Sequence, residues 1–444
     1  MKNKISALLE QYGVSELNPM QIDAHQCILK EQNTLLLSPT GSGKTLAYLL
    51  PLLEMMRPDV NAVQCLILVP SRELAQQIEH VWKKLSTGFK VNVCYGGNSS
   101  RTEVQNFTVP PALLIGTPGR IADHINKKSF ALEQIFAIVY DEYDKALEFG
   151  FHEQMSFIAS HINSHPKQIF VSATSSIQIP EFSNASKIET LNYIEENSTP
   201  PQLETSLVVS DEKDKINTLF QLICSLDSKP ALIFCNHRDA VDRIQNELAQ
   251  RGVECIPYHG GMDQENRELA LIQFRGQSAR YLITTDLAAR GLDIPEMEYV
   301  IHYHLPQKAQ EFTHRNGRTA RMHASGQAYI LLNTEDKRPN YLDENIPTFT
   351  PPASGKTPIK AEFQTLFISG GRKDKVNKMD IVGFLSHIGQ LQKDEIGLIE
   401  VKDHQSFVAI KKKVLNTLLK RIVDQKIKGK KYKIGLAEFK KKKD

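Results

Sequence analysis

Two groups of residues in the first 150 positions have the types and spacing for chemistry on a polyphosphate. Ser38-Pro39-Thr40-Gly41-Ser42-Gly43-Lys44-Thr45 is a glycine-bearing loop between Leu35-Leu36-Leu37 and an apolar helical pattern over 46–56. Gly41 and Gly43 let the backbone curl so that successive N–H groups face an anion at a helix N-terminus. Thr40, Gly41, Ser42 and Gly43 form the cradle. Lys44 brings charge to the β- and γ-phosphates, and Thr45 offers a hydroxyl to Mg²⁺. The second group, Asp141-Glu142-Tyr143-Asp144, follows the apolar run 136–140. A nucleotide hydrolase needs such a pair at a strand end: Asp141 for the metal, Glu142 to orient or deprotonate water. Alone, the tetrapeptide reads as an acidic surface turn; with Lys44 and Thr45 upstream it reads as a site.

Placing these groups requires buried strands that end together. Short apolar runs at 65–69, 112–115, 135–141 and 168–171 alternate with helical patterns. That alternation predicts a parallel sheet covered on both faces, with ligands at the carboxyl ends of its strands. A polar, proline-bearing stretch from Glu195 to Pro201 reads as a linker. The alternation resumes at 231–235, 254–257, 280–284, 299–302 and 328–332, a second α/β domain. Residues 333–360, with five prolines, read as extended chain. Beyond them strands at 365–368, 396–401, 406–410 and 432–434 and helices at 378–388 and 414–426 follow the order βαββαβ. That is the order of an RNA-recognition motif, an α+β sheet backed by helices. The expected domains are 1–198, 199–335, a linker at 336–361, and 362–444.

With 444 residues, two or three cores are expected. The six cysteines form no CxxC pair, which argues against a disulfide framework or a zinc cluster and for a reducing cytoplasm. No apolar run is long enough to span a membrane. The net charge of +3 conceals an asymmetry: residues 360–444 hold 21 Lys and Arg against 10 Asp and Glu. A basic tail on a mildly acidic body predicts a polyanionic partner.

Further strand ends carry Pro70-Ser71-Arg72-Glu73-Leu74-Ala75, Thr117-Pro118-Gly119-Arg120 and Ser172-Ala173-Thr174. Together with the loop and the acidic tetrapeptide, this set resembles the DEAD-box RNA helicases, and Pro19-Met20-Gln21 resembles their glutamine motif. The resemblance implies two tandem RecA-like domains, with ATP and Mg²⁺ bound between them and RNA crossing both. It implies that Gln21 contacts adenine and that Arg72, Thr117 and Arg120 touch the RNA backbone. Ser172 and Thr174, with Asp144 and His314, would couple ATP state to strand separation. The stretch 284–294 resembles motif V, implying that Asp293 reaches the ribose and that Thr285 or Arg290 lies near RNA. His314-Arg315-Asn316-Gly317-Arg318-Thr319-Ala320-Arg321 resembles motif VI. If it is helical, His314, Arg318 and Arg321 share one face, and two guanidinium groups could stabilise the transferring phosphoryl group. The chain departs from the family at Ser38, Tyr143, Asn316 and Ala320, none of which removes a charge that hydrolysis needs.

Gly370-Gly371-Arg372-Lys373-Asp374-Lys375, Ser406-Phe407-Val408 and Ile427-Lys428-Gly429-Lys430-Lys431 resemble the C-terminal domain of the DbpA subfamily. This implies binding to a hairpin of 23S ribosomal RNA during large-subunit assembly, by a monomer. Arg372, Lys373 and Lys375 are the expected RNA contacts, and Phe407 occupies a position where such domains often stack a base. An ATP-gated RNA clamp that does not unwind, and a nucleotide hydrolase acting on small molecules, are the alternatives. The arginine-bearing second half argues against the latter.

Overall fold

In the computed structural model, which describes residues 8–10, 12–31, 33–39, 41–97, 100–162, 165–174, 179–180, 182, 187–194, 203–227, 229–288, 297–319, 326–352 and 358–440, the apolar runs become strands whose alternate residues serve opposite faces. The first unit contains β1 (Asn33–Leu37), β2 (Cys65–Leu68), β3 (Val91–Cys94), β4 (Leu113–Gly116), β5 (Ala137–Asp141), β6 (Lys167–Ser172) and β7 (Glu189–Asn192). They pair in parallel in the order β3-β4-β2-β5-β6-β1-β7. Ile67, Ile115, Val139 and Ile169 meet Ala24, Tyr48, Ile78 and Trp82 of helices Pro19–Lys30, Lys44–Met55 and Arg72–Lys84. Leu66, Leu114, Ile138 and Phe170 meet Ile121, Ile125 and Ile158 of helices Pro118–Asn126 and His152–His161 on the other face. Each such side chain contributes about 2 kcal/mol of burial, so register is strongly determined.

The second unit opens with β8 (Leu203–Ser210), β9 (Ala231–Phe234), β10 (Cys255–Tyr258), β11 (Tyr281–Thr284), β12 (Tyr299–His302) and β13 (Gly326–Asn333). This sheet is also parallel, in the order β10-β11-β9-β12-β13-β8. β3 and β8 escape the sequence reading because edge strands alternate, as in Leu-Glu-Thr-Ser-Leu-Val-Val-Ser, rather than running continuously apolar. The same unit carries an antiparallel sheet of β14 (Phe363–Ile368), β15 (Ile396–Val401) and β16 (Ser406–Lys411). A two-stranded ribbon, β17 (Lys426–Ile427) and β18 (Lys430–Lys431), precedes its last strand, β19 (Ile434–Leu436). Its order is β15-β16-β14-β19, and helices Lys378–His387 and Lys412–Ile422 bury Ile381, Leu385, Leu415 and Leu418 on one face.

The proline-bearing stretch after β13 is not extended chain up to residue 352. Tyr341 stacks on Phe312 at 5.6 Å, Leu342 is buried against Ile330 and Leu332, and Thr348 pairs with Leu207 beside β8. Isolated apolar residues between the prolines supply that docking, which a search for periodicity does not register. The expected linker at 195–201 lies outside the described residues.

Candidate active site and nucleic-acid interface

The phosphate loop follows β1 directly. Gly41 and Gly43 have φ of +86° and +87°, the left-handed conformation that glycine adopts without penalty. A Cβ on Gly43 would also lie 2.4 Å from Gln21 Nε2. Gln21 is brought to this loop by a capping box: its Oε1 accepts from Asn18 N (3.0 Å), Asn18 Oδ1 accepts from Gln21 N (2.9 Å), and Gln21 Nε2 donates to Gly43 O (3.2 Å). Asn18 Nδ2 donates to Ser42 O, and Ser38 Oγ donates to Ser42 Oγ at 2.7 Å, so the departure at Ser38 braces the loop. Lys44 Nζ donates to Ser38 O and Pro39 O, both at 2.7 Å. Thr40 lies outside the described residues.

Asp141 closes β5 and is 4 % exposed. Its Oδ2 accepts from the hydroxyl of Tyr48 at 2.8 Å, one turn along the helix from Thr45. Burial pushes the Asp141 carboxyl up, against the Tyr48 hydrogen bond and the Lys44 charge. Burial and Asp141 raise the Tyr48 phenol, and the Thr45 hydroxyl partly counters the rise. Tyr48 thus holds a hydroxyl and a carboxylate together, hard oxygen donors that fit Mg²⁺. The sequence reading missed Tyr48, whose partner is 93 residues away. Glu142 has φ +49° and ψ +46°, a strained backbone for a non-glycine residue, at the start of helix Tyr143–Glu148. Tyr143 is buried edge-on to Phe170 at 5.7 Å, so an aromatic at this position completes the core. Asp144 Oδ2 accepts from Thr174 Oγ1 (3.0 Å), and Ser172 Oγ accepts from Thr174 N (2.9 Å), joining the ends of β5 and β6.

The expected RNA contacts lie on the other half of the same sheet edge. Arg72 follows β2 and sits against Gly97, where a Cβ would approach its Nη1 to 2.6 Å. Thr117 follows β4 and caps helix Pro118–Asn126. Arg120 Nε donates to Glu103 Oε2 at 2.6 Å, an oxygen shared with His124 Nε2 at 2.7 Å. Strand order therefore separates the residues expected to serve phosphate and coupling, after β5, β6 and β1, from those expected to touch RNA, after β2 and β4.

In the second unit, the helical-face expectation for motif VI is corrected. Helix Ala309–Asn316 ends at Gly317, so Arg318 lies beyond it and does not share a helical face with His314. Gly317 is the C-cap with φ −63° and ψ 2°, and the chain beyond it turns through Arg318 N to Arg315 O. His314 and Arg318 are both buried. Asn316 Oδ1 is 2.8 Å from His302 Nε2 in the core. Arg315, which the sequence reading left without a role, is fully buried. It donates to both carboxylate oxygens of Asp286 (2.7 and 3.0 Å), to His304 O (2.6 Å) and to Asn236 Oδ1 (3.0 Å). Thr285 is half-buried after β11; Arg290, Asp293, Ala320 and Arg321 lie outside the described residues.

In the C-terminal domain, Arg372 and Lys373 are 62 % and 63 % exposed and both face Asp403. Lys375 is exposed with φ +62°, beside Lys428, whose Nζ donates to its carbonyl. Phe407 is a correction. It is 6 % exposed, 5.8 Å from Phe367, and both pack on Leu269 and Ile272 of helix Gln264–Arg275. Arg275–Glu400 (2.6 Å) and a paired exchange between Asn266 and Lys440 (2.9 Å each) border this contact. The sheet face on which a base would stack is occupied by protein.

Comparison with known proteins agrees with this geometry. Residues 18–182 match the DEAD/DEAH box helicase family, 214–323 the helicase conserved C-terminal domain, and 365–436 the DbpA RNA binding domain. The chain is 30 % identical over 439 residues to the ATP-dependent RNA helicase DbpA of Escherichia coli (96 % of each chain). It is 29 % identical over 470 residues to that of Bacillus subtilis (98 % of each). S. cerevisiae Dbp5 bound to RNA and ADP BeF3 shares the fold at TM-score 0.67 and 24 % identity, over 75 % of this chain and 88 % of that one. Two RecA-like parallel-sheet domains and an antiparallel RNA-binding domain, carrying this loop and this acidic strand end, make the chain a member of the DEAD-box ATP-dependent RNA helicases, of the kind that ends in a DbpA-type domain.

Proposed function

We propose that this helicase uses ATP to part short RNA duplexes in 23S ribosomal RNA during large-subunit assembly, as a cytoplasmic monomer with the domain limits 1–198, 199–335 and 362–444. The loop conformation supports the ATP assignment: Gly41 and Gly43, just ahead of Lys44, adopt the left-handed conformation in which successive backbone N–H groups can face an anion. In this reading Thr40, Gly41, Ser42 and Gly43 cradle the phosphates, Lys44 neutralises their charge, and Gln21 and Asp293 hold the adenine and ribose. Thr45 and Asp141 would hold Mg²⁺, which when bound neutralises charge on the β- and γ-phosphates. Glu142 orients the attacking water and takes its proton. Arg318 and Arg321 stabilise charge developing on the transferring group.

Asp144, Thr174, Ser172 and His314 relay nucleotide state to RNA held by Arg72, Thr117, Arg120 and Thr285. The exposed cations Arg372, Lys373 and Lys375 support RNA recognition by the C-terminal domain through its loops. Among the described residues no helix is long and apolar enough to cross a membrane.

The test is strand release from a short RNA duplex joined to a 23S hairpin, with the full chain, ATP and a Lys44→Ala control. Release by the wild type alone is expected. ATP-dependent RNA binding without release would establish the clamp instead, and equal release from duplexes joined to unrelated hairpins would remove the ribosomal target.

A further inference from the structure

Cys94 ends β3, Glu103 lies on helix Ser100–Asn106, and His124 lies on helix Pro118–Asn126. Their exposures are 1 %, 4 % and 0 %, and one ligand atom of each lies within 4.8 Å of the others. We propose that these three side chains form an inhibitory site for a zinc-class divalent cation, whose binding draws Glu103 away from Arg120. A thiol, an imidazole and a carboxylate are a donor set that favours zinc over magnesium or calcium, and a water can complete a tetrahedron. The outer partner of the imidazole is in place, since His124 Nδ1 is 3.1 Å from Ser129 Oγ. The present contact of His124 Nε2 with the Glu103 carboxylate (2.7 Å) places the ring hydrogen on Nε2; to bind a metal the ring passes that hydrogen to Nδ1, which then donates to Ser129 and frees the Nε2 lone pair.

The charges balance. In the present arrangement the Arg120 guanidinium neutralises the Glu103 carboxylate, and Cys94 keeps its proton. A divalent cation would enter as Arg120 leaves, and the Cys94 proton would go to water, so the buried site stays neutral throughout. Arg120 is 15 % exposed and oriented through Nε by Glu103. Released from that carboxylate, it loses the 2.6 Å ion pair and keeps the longer one to Asp123 (Nη1–Oδ2, 3.5 Å), so its guanidinium is no longer held where Glu103 sets it. This last step rests on the RNA-contact role proposed for Arg120; the metal site does not.

The test titrates the full chain with Co²⁺ and follows thiolate-to-cobalt absorption, with circular dichroism to establish that the variants fold. One equivalent should produce the band in the wild type, and Cys94→Ser and His124→Gln should lose or weaken it. No band in the wild type, or an unchanged band in Cys94→Ser, overturns the site. In a second arm, Zn²⁺ should raise the RNA concentration that half-stimulates ATPase roughly tenfold in the wild type, as expected for one displaced phosphate contact and its neighbours. It should leave Cys94→Ser unaffected. An equal Zn²⁺ effect in both proteins overturns the link to Arg120. A cobalt band in a protein whose ATPase ignores RNA upholds the metal site and sinks the RNA reading instead.

Discussion

The two parallel sheets share a layout and use the charges at their strand ends differently. In the first, Asp141 accepts from the phenol of Tyr48 and Asp144 from the hydroxyl of Thr174. In the second, Arg315 joins the ends of β9, β11 and β12 by hydrogen bonds to Asn236, Asp286 and His304. One edge positions its carboxylates with these neutral donors; the other uses a full ion pair to hold itself together. An arginine inside a helicase motif is therefore not by that fact a ligand group.

Three substitutions break or sharpen this contrast. Arg315→Ala should cost about 3 kcal/mol, the low end for removing one partner of a buried pair, because Asp286 is 38 % exposed. Urea unfolding should show the lower midpoint. An unchanged midpoint with lost ATPase would mean that Arg315 serves ligand after all. Next comes His302, whose ring burial first, and the Arg315 charge second, hold down to a pKa of about 3. The unfolded chain protonates this histidine near 6.5 while the native site does not. Stability therefore falls as pH drops from about 6.5 toward 3, by up to about 1.4 kcal/mol per pH unit. His302→Gln should flatten the acid limb of the stability profile by one proton; an unaltered slope would show that the ring is charged in the native state. The smallest effect is expected from Tyr48→Phe, about 1.5 kcal/mol, the low end for one hydrogen bond to a carboxylate. It should raise the Mg²⁺ concentration needed for nucleotide binding severalfold while moving the unfolding midpoint little. A large stability loss with normal Mg²⁺ dependence would place Tyr48 with Arg315 as scaffold.

Much of the site was legible because its groups are contiguous. A loop that needs Gly41, Gly43 and Lys44 in a row, and a strand that ends in Asp141 and Glu142, leave their pattern in short windows. The central strands were legible for the same reason, being apolar on both faces. What stayed hidden depends on partners far apart in sequence. Tyr48 looks like any apolar helix position until Asp141 is placed beside it, and Glu103 like any exposed helical acid until Arg120 and His124 close on it. Phe407 was misread because a strand pattern tells which residues face away from the backing helices but not what covers them. The helical-face reading of motif VI failed because the helix ends at Asn316, before Arg318.

The covering of Phe367 and Phe407 by helix Gln264–Arg275 bears on how the tail is studied. Excised from the rest of the chain, residues 362–444 would present two phenylalanines, with Phe439 beside them, to water. A fragment of that kind has an artificial sticky plane that unstacked bases and other fragments will both find. Binding constants and stoichiometries from the severed tail would then describe a surface that the intact helicase keeps shut.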